Sequence, residues 1–368
     1  MLAAGASTFG ANAPTEPDPK ADNAATADVP EKESVWDWSA TLRGGVGYKD
    51  NVLLSDFFKE SSVFTFTDVE AFLFRLPTDG WEFTGVFTAE DRRYWQSESV
   101  NKEQLFLTSG DLRKKLWEDW KVGVSAQYFY NDQIFDASVA EGLPLRVRAK
   151  LHRASGGPLI EYDLGNKRRL ELSFTTARME FGEPLDDSWE LGPKLLFAQK
   201  YGAANSEFTA MVQFRHRQYD VRQAPDQPGR SLEFNVPEFE LGIKHYWDAA
   251  KHWRSRGRMG IELNEDNGSG FYDYRRWKIS KELSFTQGGF EGMLQAKFLH
   301  YEYKSQTVPP EGKGRRRTEL VLGGRVRQRI MKHLFGFAEV EYERVLATDF
   351  EERYHATTVW GGVEWEVK

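Results

Sequence analysis

Between residues 253 and 263 the chain reads Trp-Arg-Ser-Arg-Gly-Arg-Met-Gly-Ile-Glu-Leu. Arg254, Arg256, Arg258 and Glu262 fall on one parity. Trp253, Met259, Ile261 and Leu263 fall on the other, with Ser255 and Gly257 between them. A period of two describes an extended strand whose side chains alternate between opposite faces. A soluble sheet can contain one such strand. Here segments of this kind, about 10–14 residues long, recur from about residue 35 to the chain end, which is the cumulative signature of a transmembrane β-barrel.

Composition narrows the alternatives. Aromatic residues make up 14% of the 368 residues, with 12 Trp, 14 Tyr and 26 Phe, which suits aromatic girdles at two membrane interfaces. No window approaches 18 consecutive apolar residues, which excludes a membrane helix but not a barrel, where only alternate residues meet lipid. With no cysteine there is no disulfide, thiolate nucleophile or cysteine-ligated metal. The net charge of -7 argues against a nucleic-acid partner. The pairs Gly156-Gly157, Gly288-Gly289 and Gly323-Gly324 lack a following Lys-Ser/Thr, so they read as kinks or turns and no nucleotide cofactor is expected.

The first 34 residues differ in kind. Pro14 to Ser34 is rich in Pro, Ala, Asp, Glu and Lys and reads as a disordered, solvated tail. Met1 to Ala13 looks like the worn end of a secretory signal. It has small residues and an Ala-Asn-Ala stretch, but no basic n-region or apolar core. An ordinary flexible N-terminus is the competing reading. The expected organisation is therefore a signal remnant and periplasmic tail over 1–34 and a barrel over 35–368.

Tight connections are expected at 76–81, 117–120, 163–167, 200–205, 247–251, 286–289 and 331–333. Several carry the Gly, Asn, Asp or Pro that hairpin turns require. Longer polar connections alternate with them, near 51–62, 96–102, 131–144, 183–188, 220–230, 265–270, 304–314 and 347–352. With both termini on the tight-turn side, this predicts an all-β, antiparallel up-and-down transmembrane barrel of about 16 strands (14–18), with short periplasmic turns and longer extracellular loops. Pro237 suggests a bulge. A four-bladed propeller has a similar strand number, but its strands are shorter and its loops do not alternate in length. Trp36, Trp38, Trp81, Trp117, Trp120, Trp247, Trp253 and Trp365 gather near tight turns or termini, as a membrane-interface girdle would.

Two segments carry a resemblance. The last twelve residues, with alternating Val363, Trp365 and Val367, resemble the C-terminal strand by which outer-membrane proteins are recognised for assembly, although Lys368 stands where an aromatic residue is usual. Gly45-Val-Gly-Tyr-Lys-Asp-Asn-Val-Leu-Leu-Ser55 resembles the first strand and loop of the type-two outer-membrane β-barrel porin family of bacteria, with Lys49 replacing an acidic residue. The motif covers about eleven residues. It implies a bacterial outer-membrane location and, because some members accompany polysaccharide export, an exit-channel role as one possibility.

If the apolar parity faces lipid, the other lines the lumen. The expected basic wall comprises Arg146, Arg148, Lys150, Arg169, Lys194, Arg215, Arg217, Arg254, Arg256, Arg258, Arg276, Lys278, Lys297, Arg325, Arg327 and Arg329. The expected acidic wall comprises Asp37, Asp68, Glu70, Glu82, Glu90, Glu339, Glu341, Glu343, Glu364 and Glu366. Opposed walls across a narrow aqueous passage generate a transverse field that orients polar solutes. Alternatively these charges pair with neighbours and fill a plugged interior, or they are solvated outer faces of a soluble sheet.

No catalytic or metal site is expected. His152, His216, His245, His300 and His355 are scattered, and no Ser is placed beside His216, the one outward-facing candidate base. Asp186-Asp187 and Glu351-Glu352 read as solvated loop acids sooner than a Ca²⁺ site. The expected function is a passive outer-membrane channel for small polar or charged solutes. The alternatives are a polysaccharide exit channel working with a periplasmic partner, or a non-conducting scaffold. For the exit channel, Phe129, Tyr219, Tyr301, Phe335, Phe337 and Trp360 would form a sugar slide. Expected partners are outer-membrane lipid and lipopolysaccharide, the barrel assembly machinery, and a periplasmic protein reached by the tail. Oligomeric state is not readable.

Overall fold

The structure, a computed structural model, describes residues 34–136, 146–183, 185–310 and 312–367. The expectations for the N-terminal tail lie outside these residues. Among the described residues sixteen strands follow one another: β1 (Trp36–Lys49), β2 (Ser62–Arg75), β3 (Trp81–Tyr94), β4 (Lys102–Lys115), β5 (Trp120–Asp136), β6 (Arg146–Gly165), β7 (Arg168–Phe181) and β8 (Ser188–Tyr201). They continue with β9 (Ser206–Gln223), β10 (Ser231–Tyr246), β11 (Trp253–Asp266), β12 (Tyr274–Gln287), β13 (Phe290–Val308), β14 (Lys313–Met331), β15 (Leu334–Ala347) and β16 (Tyr354–Val367). Each pairs antiparallel with its sequence neighbours, and β1 closes on β16, so the sheet is a barrel without an edge.

The turns follow their chemistry. Asn166 and Lys167 both have positive φ (52° and 62°), as do Gly288 and Gly289 (62° and 88°), the backbone that lets a two-residue hairpin match strand twist. In the turn before β11, Asp248 accepts the N–H groups of Trp253 (2.9 Å) and His252 (3.1 Å). The Trp253 N–H, with that of His252 behind it, holds this carboxyl below the usual carboxylate range. At the closing seam Gly45 faces Gly362, and a Cβ on either would run into the opposing strand's backbone, so β1 and β16 approach as only glycine allows.

Register fixes which parity points out. Leu42, Val124, Leu172, Val212, Ile243, Met259, Ile279, Leu294, Val340 and Val363 point outward and are exposed, an apolar belt running round the ring. At the short-turn end the eight tryptophans expected there are all exposed. Trp253 packs against Phe285 (4.7 Å between centroids) and Trp120 against Tyr162 (4.6 Å). Trp189 and Trp277 are exposed nearer the long-loop end.

Three expectations fail here, the first being the longer connection near 304–314, most of which is strand because β13 runs to Val308 and β14 starts at Lys313. Pro237 pairs in register with Phe214, and the irregularity between β9 and β10 falls instead at Ser231/Glu233, next to the loop. Pro237 interrupts without bulging: the β10–β11 ladder skips Val236 and Pro237 between Asn235/Glu265 and Glu238/Glu262 and resumes in the same register. In β6, Arg148 and Lys150 share the parity of Ile160 and Tyr162, which is the outward one, and Arg146 has the same parity in the strand. The inward positions there are Ala149 and Leu151, buried at the barrel mouth, with Leu185 of the β7–β8 loop packed on Ala149. Arg148 and Lys150 therefore do not belong to a lumen wall, and the Arg146 side chain lies outside what the structure describes.

Candidate functional site: the charged lumen

The remaining expected wall residues lie on inward register positions, and most are held by partners the two-wall picture omitted. On β9–β12, Arg217 meets Glu190 (2.6 Å). Arg215 meets Glu262 (2.9 Å) and Glu238 (3.0 Å). Arg276 also closes on Glu262 (2.6 Å), and Lys278 on Glu238. Arg254 and Arg256 share Glu282 (3.1 and 3.9 Å). On β14, Arg325 reaches Glu364 (2.6 Å) and Glu339 (3.3 Å), while Arg327 reaches Glu291 (2.7 Å), Glu364 (2.6 Å) and Glu366. Arg169 lies 3.9 Å from Glu161, and Lys194 lies 3.9 Å from Glu171. Lys297 is inward and half-buried, and Arg329 lies over Phe335 at the short-turn rim.

Among the expected acids, Glu70 is bonded by Arg43, Glu82 by Lys121 (3.0 Å), and Glu343 by the Tyr354 hydroxyl (2.6 Å). Glu90 faces Arg92 at 3.6 Å, and Asp37 is exposed near the short-turn end. Asp68 is buried, and its Oδ1 has no hydrogen-bond partner among the described residues. The sequence reading missed Glu161, Glu171, Glu190, Glu238, Glu282, Glu291 and Glu319 as inward acids, and Arg43, Lys49 and Arg92 as inward cations. The parity that assigns Arg254 assigns these as well, since Glu238 pairs directly with Glu262 across β10 and β11.

Pairing does not erase the asymmetry. On β9–β14 inward cations outnumber inward carboxylates. On β15, β16 and β1–β3 carboxylates prevail, tempered among the described residues by Arg43, Lys49 and Arg92. β11 lies midway round the ring from β3, so Arg254, Arg256 and Arg258 face the Glu82–Glu90 side across the interior. A field transverse to the barrel axis results.

Openness varies along the axis. Arg258 points inward yet its side chain is 70% exposed, with Glu240 4.0 Å away at the limit of an ion pair. Glu70 (40%) and Arg169 (43%) are similarly open. Toward the long-loop end Glu262, Tyr301, Arg317 and Phe64 are fully buried. The aromatics offered as a sugar slide are mostly packed. Tyr219, Tyr301, Phe335, Phe337 and Trp360 are buried, and Arg327 sits 3.5 Å over the Phe335 ring.

The β1–β2 loop closes part of the mouth. Asn51 donates from Nδ2 to the His355 carbonyl (2.8 Å) and the Ser55 carbonyl (3.0 Å). Val52 packs among Phe64, Phe66, Tyr94, Val100, Phe337 and Trp360. Leu54, in a left-handed conformation (φ 52°), packs on Val345, Tyr354 and Ala356. Beneath it lies a polar cavity of about 50 Å³ lined by residues including Lys49, Glu90, Arg92, Glu103, Glu341 and Glu343. Glu352 is not a solvated loop acid. It is fully buried and bonds Arg315 (2.6 Å) and Arg317 (3.5 Å).

Groups suited to covalent chemistry are sparse. His216 bonds Asn235 on the outward side (3.0 Å). Ser206 Oγ lies 3.3 Å from His245 Nδ1, but Ser206 is buried and already accepts the Tyr246 N–H, which leaves it no approach to a substrate. Among the described residues no group of three or more His, Asp or Glu is placed to hold a metal ion. Asp187 serves its own loop, accepting from Phe181 N–H and Arg178.

No protein-family model matches the chain, and no curated protein matches it in sequence. Solved structures do. OccAB1 of Acinetobacter baumannii is 9% identical, covers 90% of this chain and 97% of its own, and superposes with a TM-score of 0.51. OccK9 (OpdG) of Pseudomonas aeruginosa is 9% identical, covers 90% of this chain and 98% of its own, with a TM-score of 0.50. At such identity the likeness is one of fold.

Proposed function

We propose that this chain is an integral outer-membrane channel, related to the type-two porin family it resembles at Gly45–Ser55, that passes small polar or charged solutes by diffusion. The observation that carries the reading is Arg258, an inward side chain that is 70% exposed within a closed ring. An inward residue is that accessible only where the interior holds water. A barrel of this strand number leaves an aqueous channel unless loops fill it. The outward apolar belt would face lipid, with the tryptophan end at the periplasmic interface and the long loops outside. The fold shared with the two Occ barrels agrees with this. No covalent chemistry is required, because selectivity follows from pore width and lumen charge.

Reversal of the exposed cations tests the lumen assignment. In planar bilayers under a salt gradient, Arg258→Glu combined with Arg254→Glu and Arg256→Glu is expected to move the reversal potential toward cation preference and to change the permeability ratio severalfold. Arg258→Glu alone should produce most of the shift, because Arg254 and Arg256 already share Glu282. An unchanged reversal potential in the triple variant would remove these residues from the conduction path.

A further inference from the structure

Arg148 and Lys150, which the register turns outward, belong to a second charged surface, at the long-loop end of β3–β6. Arg93 pairs across strands with Lys102, and Asp132 with Gln104 on one side and Lys150 on the other. Side chains link them. Asp91 accepts from Arg93 Nε (2.6 Å) and Gln104 Nε2 (2.6 Å), and Gln104 Oε1 accepts from Lys102 Nζ (2.7 Å). Asp132, fully buried, holds Arg148 Nε (2.9 Å) and Lys102 Nζ (3.6 Å), while Arg148 Nη1 reaches Asn101 Oδ1 (3.1 Å). Arg93 is half exposed, Lys102 and Arg148 partly so, and Lys150 is exposed with no ion pair of its own among the described residues. The shelf thus has more cations than carboxylates, and a buried acid fixes two of them in place.

Directly beneath, on the same outward parity, lie aromatic rings. Phe106 packs edge-on against Phe87 (5.2 Å) and near Tyr128 (5.8 Å), and Tyr130 is the cross-strand partner of Phe106. A cationic shelf above an aromatic belt suits a ligand with an anionic head and an apolar body that approaches from the side. Arg and Lys favour phosphate oxygens through charge-assisted hydrogen bonds. A free phosphate would use only the shelf.

We infer that this shelf binds the phosphorylated headgroup of an outer-leaflet glycolipid, lipopolysaccharide, with its acyl chains laid along Phe87, Phe106 and Tyr128. The inference rests on the membrane-barrel reading with the long loops outside. The test uses the full chain in detergent micelles and native mass spectrometry, with diphosphoryl lipid A, phosphatidylcholine and inorganic pyrophosphate as probes. Lipid A adducts are expected on the wild-type chain, with neither of the other probes retained at equal concentration. Lys102→Gln, Arg148→Gln and Lys150→Gln together should weaken lipid A binding by about tenfold or more, as loss of charge-assisted contacts implies. Lys102→Arg with Lys150→Arg should keep it. Unchanged binding in a triple variant that still shows a heat-modifiable gel band would overturn the site, as would equal retention of pyrophosphate or phosphatidylcholine. A wild-type chain that enters liposomes but ignores lipid A sinks this site alone, whereas one that cannot enter liposomes sinks both readings.

Discussion

Glu262→Ala is expected to destabilise the barrel by about 3 kcal/mol, the low end of what breaking a buried ion pair costs. Glu262 is fully buried and joins Arg215 (2.9 Å), Arg276 (2.6 Å) and the Tyr274 hydroxyl (3.3 Å). Removing its carboxylate takes the nearest counter-charge from Arg276, which keeps a hydrogen bond to the Tyr301 hydroxyl at 3.3 Å, in a site with little water to replace the lost charge. Arg215 retains Glu238 at 3.0 Å, which is why the low end applies. Glu70→Gln provides the contrast. Its partner Arg43 also meets Glu364, and Glu70 itself is 40% exposed, so the loss should stay under about 1 kcal/mol. Equilibrium urea unfolding followed by tryptophan fluorescence reads both. Equal losses would mean that the interior near Glu262 is as wet as that near Glu70, against the burial gradient described above.

Shortening the β1–β2 loop is expected to have the largest effect on conduction. Val52 N–H bonds the Glu60 carbonyl (2.7 Å), so the loop's ends are already adjacent. Replacing residues 53–59 by two glycines would close the chain without disturbing β1 or β2. It removes Leu54 from Val345, Tyr354 and Ala356 and uncovers the cavity lined by Glu90, Glu341 and Glu343. Single-channel conductance should rise roughly twofold or more, since a constriction dominates the resistance of a water-filled pore. Cation preference should rise with it, because the uncovered wall is acidic. Conductance equal to that of the parent chain would place the limiting constriction elsewhere, for instance at the buried Tyr274–Tyr301–Tyr303 cluster.

The barrel was legible because parity persists. Wherever the outward face is a continuous apolar belt, alternation such as that of Trp253–Leu263 tells in from out, and length alternation tells turn from loop. The rule breaks above the belt. At the mouth the interior is filled by loops, so apolar Ala149 and Leu151 point inward while Arg148 and Lys150 point out. Ile160 and Tyr162 farther along the same strand carried the correcting signal, because they share the parity of Arg148 and sit at belt depth. The lumen was half legible for a different reason. Rows of three arginines are conspicuous, whereas Glu190 and Glu282 stand singly on their faces and Glu238 has only Glu240 beside it, and each matters only through partners on adjacent strands. The inward fold of Val52 and Leu54 leaves no periodic trace, since a loop has no repeat from which to infer a face.

One measurement bears most directly on the channel itself: current through the purified, refolded full chain added alone to a planar lipid bilayer. Stepwise insertion of stable open conductances, with no second protein present, is the predicted result. A bilayer that stays silent with the chain demonstrably inserted would contradict it. Current that appears only after a periplasmic partner is supplied would contradict it too, and would assign the barrel to gated export instead.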